Sequence, residues 1–260
     1  MKPHMLQNNT NQSAFSPSLD AAFYRPIAAK LPVLFNDKHN ATIYDGRNVL
    51  KLIDFNQQMC VVKSFKVLGV LRRVIYTYLR ASKAQRSFEH ASELVKRGVG
   101  TPAPVGYIAF FSHGLIKQSY YISAHVDYDF EFRDLLTSPP SDLNAVLDAC
   151  ALFVSELHQK GVLHTDLSLG NVLVKRQPTG YEFYLVDLNR MQFKTLTRSE
   201  KVENLTRLLI QEDIRERFCT YYAEHNQLDA ARLLAEVNEH VEAFYRFRQK
   251  KAAFKKFLGR

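Results

Sequence analysis

From residue 162 to residue 187 the chain runs through two turns that each deliver oxygen-bearing side chains, separated by a strand pair. His164-Thr165-Asp166-Leu167-Ser168-Leu169-Gly170-Asn171 leads into the apolar Val172-Leu173-Val174. After a turn at Gly180, Leu185-Val186 ends at Asp187. The intervening hairpin brings Asn171 and Asp187 together at strand ends, a pair of hard oxygen donors suited to Mg²⁺. Asp166 is then left to accept a proton from an attacking hydroxyl. A lone Asp or Asn in a turn is ordinarily a turn residue making local hydrogen bonds. The spacing of the three with Lys63 upstream is what carries chemistry.

The rest of the chain falls into a strand-rich half followed by a helix-rich half. Apolar and polar residues alternate over Thr42–Tyr44, Val49–Ile53 and Cys60–Phe65 around the turn signal Asp45-Gly46, which predicts a small antiparallel sheet. Two further strands are expected at Val105–Phe111 and Ser119–Ala124. Between Val67 and Leu79 apolar residues recur at helical spacing, with Arg72 and Arg73 on the other side. Ser82 with Gln85 forms a capping-box pattern for a second helix, stopped by Gly98, Gly100 and Pro102. In the second half, Ser141 is expected to cap a helix whose apolar face holds Val146, Leu147, Cys150, Val154 and Leu157 and which ends at Gly161. Further helices are expected from about Arg198 to Leu258. The fold class is therefore α+β, with residues 1–30 as a flexible leader, 31–128 as a sheet lobe and 129–260 as a mainly helical lobe.

The order of these residues resembles the protein-kinase fold. His164-Thr-Asp166 stands where H-R-D would be, Asn171 matches its Asn, and Asp187 matches the Asp of D-F-G. Cys60-Val61-Val62-Lys63 ends a strand in the manner of V-A-I-K, and a helix bearing Glu89 follows. The resemblance assigns Lys63 to the α- and β-phosphates of ATP, Glu89 to pairing with Lys63, Asp166 to the catalytic base, and Asn171 and Asp187 to Mg²⁺. Alternation sets Lys63 and Lys66 on opposite strand faces. Glu93, one turn beyond Glu89, is expected to pair with Lys96 or Arg97 instead. His164 is expected to hold the loop, while Arg190 either binds a substrate phosphate or braces the loop. Asp45-Gly46-Arg47-Asn48 is the candidate phosphate loop, without G-x-G-x-x-G, and Leu188-Asn189-Arg190 replaces Phe-Gly. Little chain remains for an activation segment, so a regulated protein kinase is disfavoured.

The chain is more similar to the bacterial lipopolysaccharide kinases of the Kdo/WaaP family. The resemblance runs from about Ile43 to Arg207, through Val62–Lys66, Arg86–Glu89, Gly98–Pro104, Phe130–Leu136, the His164–Asn171 loop and Leu185–Met191. It implies a bilobal protein-kinase-like fold, ATP, Mg²⁺, and a Kdo or heptose hydroxyl of the lipopolysaccharide inner core as acceptor, at the cytoplasmic face of the inner membrane. An atypical protein or small-molecule kinase of the same fold and a non-catalytic pseudokinase stay open beside it.

Charge and composition agree with a globular chain that meets polyanions. Against 26 Asp+Glu stand 35 Lys+Arg, for a net charge of +9. No nucleic-acid recognition module accompanies the excess, so nucleic acid is not the expected partner. Arg72, Arg73, Arg80, Lys83 and Arg86 form one basic stretch. Arg246, Arg248, Lys250, Lys251, Lys255, Lys256 and Arg260, interleaved with Phe residues, form another, which is either suited to an anionic membrane surface or a solvated helix face whose Phe residues belong to the core. Cys60, Cys150 and Cys219 are scattered without a C-x-x-C pair, which fits a reducing cytoplasm. Residues 1–20 lack the apolar core of a signal peptide, so a protein that is not exported is expected.

Overall fold

The computed structural model describes residues 4–8, 11–19, 21–66, 69–208 and 211–257. The chain divides into two compact units, residues 1–127 with Asp187–Asn189, and residues 128–186 with 190–260.

The first unit is built on a seven-stranded antiparallel sheet. Its strands are β1 (His4–Asn8), β2 (Asn11–Phe15), β3 (Thr42–Asp45), β4 (Asn48–Phe55), β5 (Gln58–Lys66), β6 (Pro104–Ser112) and β7 (Leu115–Ala124), in the order β1-β2-β6-β7-β5-β4-β3. Strands β3 to β7 stand where alternation predicted them. The candidate phosphate loop, Asp45–Asn48, is the β3–β4 turn, closed by Gly46 N–H donating to the Asn48 carbonyl at 3.3 Å.

The expected flexible leader is instead ordered from Asn11 onward. Helix α1 (Ala21–Asn36) sets Ile27, Leu31 and Phe35 into one apolar cluster with Phe15, Ile53, Cys60, Val62, Val105, Ile108, Tyr120 and Ile122. β2 docks on β6 with Phe15 opposite Gly106, where an added Cβ would meet the Ala14 carbonyl at 2.8 Å and the Phe15 ring. Glycine there lets the Phe15 ring lie over the strand. The sequence hid this edge because residues 7–13 are Gln, Asn, Thr and Ser, and the strand contributes a short apolar end.

Successive residues of a strand face opposite sides, so Tyr120 and Ile122 meet α1 while Tyr107 and Tyr121 turn the other way. Helix α3 (Lys83–Lys96) covers that second side, with Phe88 5.8 Å from Tyr107. Ser82 caps α3 by accepting from Gln85 N–H at 3.1 Å. The Gln85 side chain does not return to Ser82; it donates to Glu89 at 2.9 Å.

The periodic stretch expected from Val67 gives α2 (Val70–Val74) and a π-helical turn, Ile75–Leu79; Val67 and Leu68 lie outside the described residues. Neither segment buries a residue. The polar side is the docked one: the Arg73 guanidinium donates to the carbonyls of Ile116 at 2.9 Å and Ser112 at 3.1 Å, and Thr77 Oγ1 accepts from Ile116 N–H at 2.9 Å. Carbonyls at the β6–β7 hairpin demand donors, and this turns Leu71 and Leu79 outward, 74% and 78% exposed.

The second unit contains β8 (Phe130–Glu131), β9 (Val162–His164), β10 (Val172–Gln177), β11 (Gly180–Leu185), β12 (Met191–Phe193) and helices α4 (Leu143–Gln159), α5 (Arg198–Leu208), α6 (Glu212–Asn226) and α7 (Ala230–Phe257). Its sheets are β11-β10-β8 and β12-β9, all antiparallel. Helix α4 buries Val146, Leu147, Cys150, Val154 and Leu157 as its periodicity requires, while Phe153 stacks on Phe183 of β11 at 5.3 Å. The N-cap is Asp142 rather than Ser141, and the Asp142 carboxylate is held by Tyr181 and by Arg176 at 2.9 Å. Leu258 and Arg260, part of the basic tail, fall outside the described residues.

If residues 11–36 belong to the core, Phe15→Ala will lower the unfolding free energy by about 3–5 kcal/mol in urea. A loose leader would lose nothing.

Candidate active site

In the sheet unit, β5 carries Lys63 on the face opposite the exposed Lys66. The Lys63 ammonium donates to Asp187 Oδ1 at 2.5 Å, with its side chain 14% exposed. Asp187 stands in the left-handed region at φ 57°, a conformation that costs a non-glycine residue and gathers at functional sites. Three contacts hold it there or support its flank. Asn189 Nδ2 donates to Asp187 Oδ1 at 2.7 Å, Leu188 is buried, and His90 Nδ1 on α3 meets the Leu188 carbonyl at 2.6 Å. Burial depresses the His90 pKa, so the ring stays neutral and donates through Nδ1.

Glu89 does not pair with Lys63 among the described residues. It accepts from Gln85, one turn back on α3, and the lysine is taken by the nearer Asp187 carboxylate. Glu93 forms the surface pairs expected of it, with Arg97 at 2.8 Å and Lys96 at 3.7 Å. The α3 residue that reaches the Asp187 segment is His90, adjacent to the expected Glu89. The sequence signal for it was weak, a lone His on an amphipathic helix.

In the helical unit, Asp166 and Asn171 sit in one loop between β9 and β10. Asn171 Nδ2 donates to the Asp166 carbonyl at 2.8 Å, and Asn171 N–H to the Ser168 carbonyl at 2.8 Å. Gly170 lies against the Arg133 guanidinium, and any Cβ there would collide with it; Arg133 itself is paired with Glu131. The loop is fixed by a run of hydrogen bonds reaching into the core. Tyr222 OH meets His158 Nδ1 at 2.8 Å, His158 Nε2 meets Asn204 Oδ1 at 3.1 Å, and Asn204 Nδ2 donates to the His164 carbonyl at 2.7 Å. His164, fully buried, continues the run through Nε2 to the Val186 carbonyl at 3.0 Å. Its Nδ1 accepts from Asp166 N–H at 3.2 Å. With Nδ1 accepting, His164 is the neutral Nε2–H tautomer. Its role is to hold the loop, as the sequence suggested.

Around the Asp166 carboxylate stand two guanidiniums, Arg190 Nη1 at 3.7 Å and Arg207 Nη1 at 3.7 Å. Arg190 is anchored through its carbonyl, which accepts from Thr165 N–H at 3.1 Å and Thr165 Oγ1 at 2.7 Å. Arg207 and Asn204 were not found by sequence reasoning, because α5 lies some forty residues after the loop and bears no motif. Their i, i+3 spacing on α5 places them on neighbouring positions of one helix face.

Each unit, taken by itself, carries an oxygen donor of the kind that suits Mg²⁺. Asp187 offers a carboxylate, and Asn171, having committed its amide nitrogen to Asp166, offers the amide oxygen. Among the described residues no group of three or more His, Cys, Asp or Glu could hold a metal. A cation carried on substrate phosphates needs only one or two protein oxygens.

Burial drives the His158 pKa down to about 4, whereas the unfolded chain protonates it near 6.5. Between those values the unfolded state binds the proton and the folded state does not, so stability falls as pH drops through this window. The loss is about 3 kcal/mol over the whole interval. Urea unfolding at pH 7 and pH 4 will show that loss in the wild type and a slope flatter by that amount in His158→Phe; identical slopes would refute the buried neutral ring.

Comparison with known proteins gives the family. Residues 62–235 match the lipopolysaccharide kinase (Kdo/WaaP) family. A 3-deoxy-D-manno-octulosonic acid kinase from Vibrio vulnificus (strain YJ016) is 25% identical over 170 residues, covering 63% of this chain and 69% of that protein. Another, from Pasteurella multocida (strain Pm70), is 29% identical over 156 residues, covering 54% of this chain and 58% of that one. Among solved structures, WaaP in complex with acyl carrier protein superposes with a TM-score of 0.59 at 18% identity, over 87% of this chain and 98% of that chain. That likeness establishes the bilobal kinase-like α+β fold. The chain belongs to the lipopolysaccharide kinase (Kdo/WaaP) family and is a kinase.

Proposed function

We propose that the protein transfers the terminal phosphoryl group of ATP to a hydroxyl of 3-deoxy-D-manno-octulosonic acid (Kdo) in the lipopolysaccharide inner core. The observation that carries the reading is the Asp166 loop, pinned at the His164 carbonyl and at Asp166 N–H so that one carboxylate is held ready as a base. The two curated relatives, both named for Kdo phosphorylation, favour that sugar over heptose.

In the reaction the acceptor oxygen bonds to the γ-phosphorus as the bond to the ADP oxygen breaks, and the hydroxyl proton passes to Asp166. Lys63, which the fold pairs with Asp187, supplies an ammonium for the α- and β-phosphates. Asn171 and Asp187 would hold Mg²⁺, which when bound offsets charge on the phosphates. Such chemistry asks the protein for placement and electrostatics, with no covalent intermediate. Purified protein with Mg²⁺ and ATP should add one phosphate to Kdo-bearing lipid A, read by mass spectrometry; label on heptose alone would overturn the acceptor assignment. Asp166→Asn should lower kcat by about 10²- to 10⁴-fold with an unchanged circular dichroism spectrum.

We also infer peripheral contact with an anionic membrane on the cytoplasmic side. Val70, Leu71, Tyr78 and Leu79 face solvent on α2 and the π turn. Lys66, Arg72, Arg80 and Lys83 flank them in sequence, without an acid between Asp54 and Glu89. Arg246, Phe247, Arg248, Lys250 and Lys251 add an exposed basic stretch on α7. Apolar side chains flanked by cations suit a lipid interface, at about 1 kcal/mol for each cation near the surface. No helix among the described residues is long and apolar enough to cross a membrane. The protein should sediment with phosphatidylglycerol vesicles, less so at high salt, and Leu71→Asp with Leu79→Asp should weaken this. Equal binding to phosphatidylcholine vesicles would count against the anionic surface.

A further inference from the structure

Two cations converge on the carboxylate assigned as the base. Arg190 and Arg207 approach its two oxygens, Oδ2 and Oδ1, each at 3.7 Å. Among the described residues Asp166 is the acid within ion-pair reach of either, whereas nearby Arg133 is matched by its own partner, Glu131. Two positive charges therefore face one negative charge. At 3.7 Å both guanidiniums stand off beyond the 2.7–2.9 Å of a charge-assisted hydrogen bond. Their side chains are 55% and 39% exposed, so donors remain turned to solvent. A guanidinium carries five N–H groups in a planar fork that matches a carboxylate. Any hydroxyl that gives its proton to Asp166 must come to rest between or beside these two forks.

We propose that Arg190 and Arg207 form a subsite for an anionic group of the acceptor, carried close to the hydroxyl that is phosphorylated. This deepens the assignment of phosphoryl transfer at Asp166 and rests on it. The ligand chemistry is a sugar acid, bound by its carboxylate, in preference to a neutral sugar of the same size. The pair thus selects the acceptor, and Asp166 has two tasks: it takes the proton and it spaces the two cations apart.

The test uses the methyl glycoside of Kdo and its methyl ester, which differ by one negative charge. Binding is measured by calorimetry or saturation-transfer NMR on the full chain, and turnover with Kdo-bearing lipid A is followed separately. The wild type should bind the acid at least tenfold more tightly than the ester, with a preference that shrinks as salt is raised. Arg190→Gln and Arg207→Gln should each raise KM for the acceptor about tenfold and erase the acid preference, while KM for ATP stays unchanged. Arg207→Lys, which keeps the charge without the fork, should restore part of it. Asp166→Asn should lower turnover about 10²- to 10⁴-fold, as expected of a lost base, yet tighten binding of the acid, because the cations lose their internal partner. Equal binding of acid and ester by the wild type overturns the subsite and leaves the kinase assignment standing. Acid-selective binding without any phosphorylation of Kdo supports the subsite and overturns the Kdo assignment. A fall in kcat in both Gln variants with acceptor KM unchanged would also overturn the proposal, since it would place the pair on the transferring phosphoryl group.

Discussion

The amide of Asn204 is the joint on which the helical unit turns. Its oxygen takes the proton of one buried imidazole, His158, and its nitrogen gives a hydrogen bond to the main chain of another, His164. A primary amide is suited to this because it is donor and acceptor on one rigid plane and carries no charge to desolvate. Each polar group in the run is paired, so burial is tolerated. Remove the joint and a carbonyl and a ring nitrogen are left dry at once. The reach of the run is long, from Tyr222 on α6 through α4 and α5 to His164, two residues before Asp166, and to Val186, the residue before Asp187. Helices α4, α5 and α6 thereby set the main-chain position of the Asp166 loop.

Electrostatics in the two units differ in kind. In the sheet unit a nearly buried ammonium meets one carboxylate at short range, and a left-handed Asp is held by an amide, a buried leucine and an imidazole. Around Asp166 in the helical unit, two partly exposed guanidiniums face one carboxylate. A closed pair is a resting arrangement between two residues, whereas an open surplus of positive charge invites something from outside.

Much of this was legible in the residues. Alternation located strands β3 to β7, and the joint spacing of Lys63, Asp166, Asn171 and Asp187 picked out four groups that the fold then set in structured environments. His164 and Glu93 have the structural roles their sequence neighbourhoods suggested. What escaped had no periodic or motif signal. The strand that ends at Phe15 is polar over most of its length, and its docking depends on a missing Cβ at Gly106, about ninety residues away. The 70–79 stretch has the apolar period of a buried helix and yet is turned around, because Arg73 satisfies hairpin carbonyls that no window of sequence can see. Glu89 and His90 are neighbours on α3, and which one reaches the Asp187 segment is decided by a rotation of a hundred degrees about the helix axis. Arg207 is one arginine among many until a carboxylate forty residues earlier gives it meaning.

Asp187, Leu188 and Asn189 belong to the sheet unit although they are made long after its last strand. A ribosome that has released the first 127 residues has therefore delivered every strand of that sheet but not the acid that meets Lys63. Until some sixty more residues emerge, the acid that meets Lys63 in the complete fold is missing. Completion of the first unit must wait for the second to be largely synthesised, which ties the order of assembly to the order of translation. A cut at residue 127 would leave the sheet unit without the acid that meets Lys63.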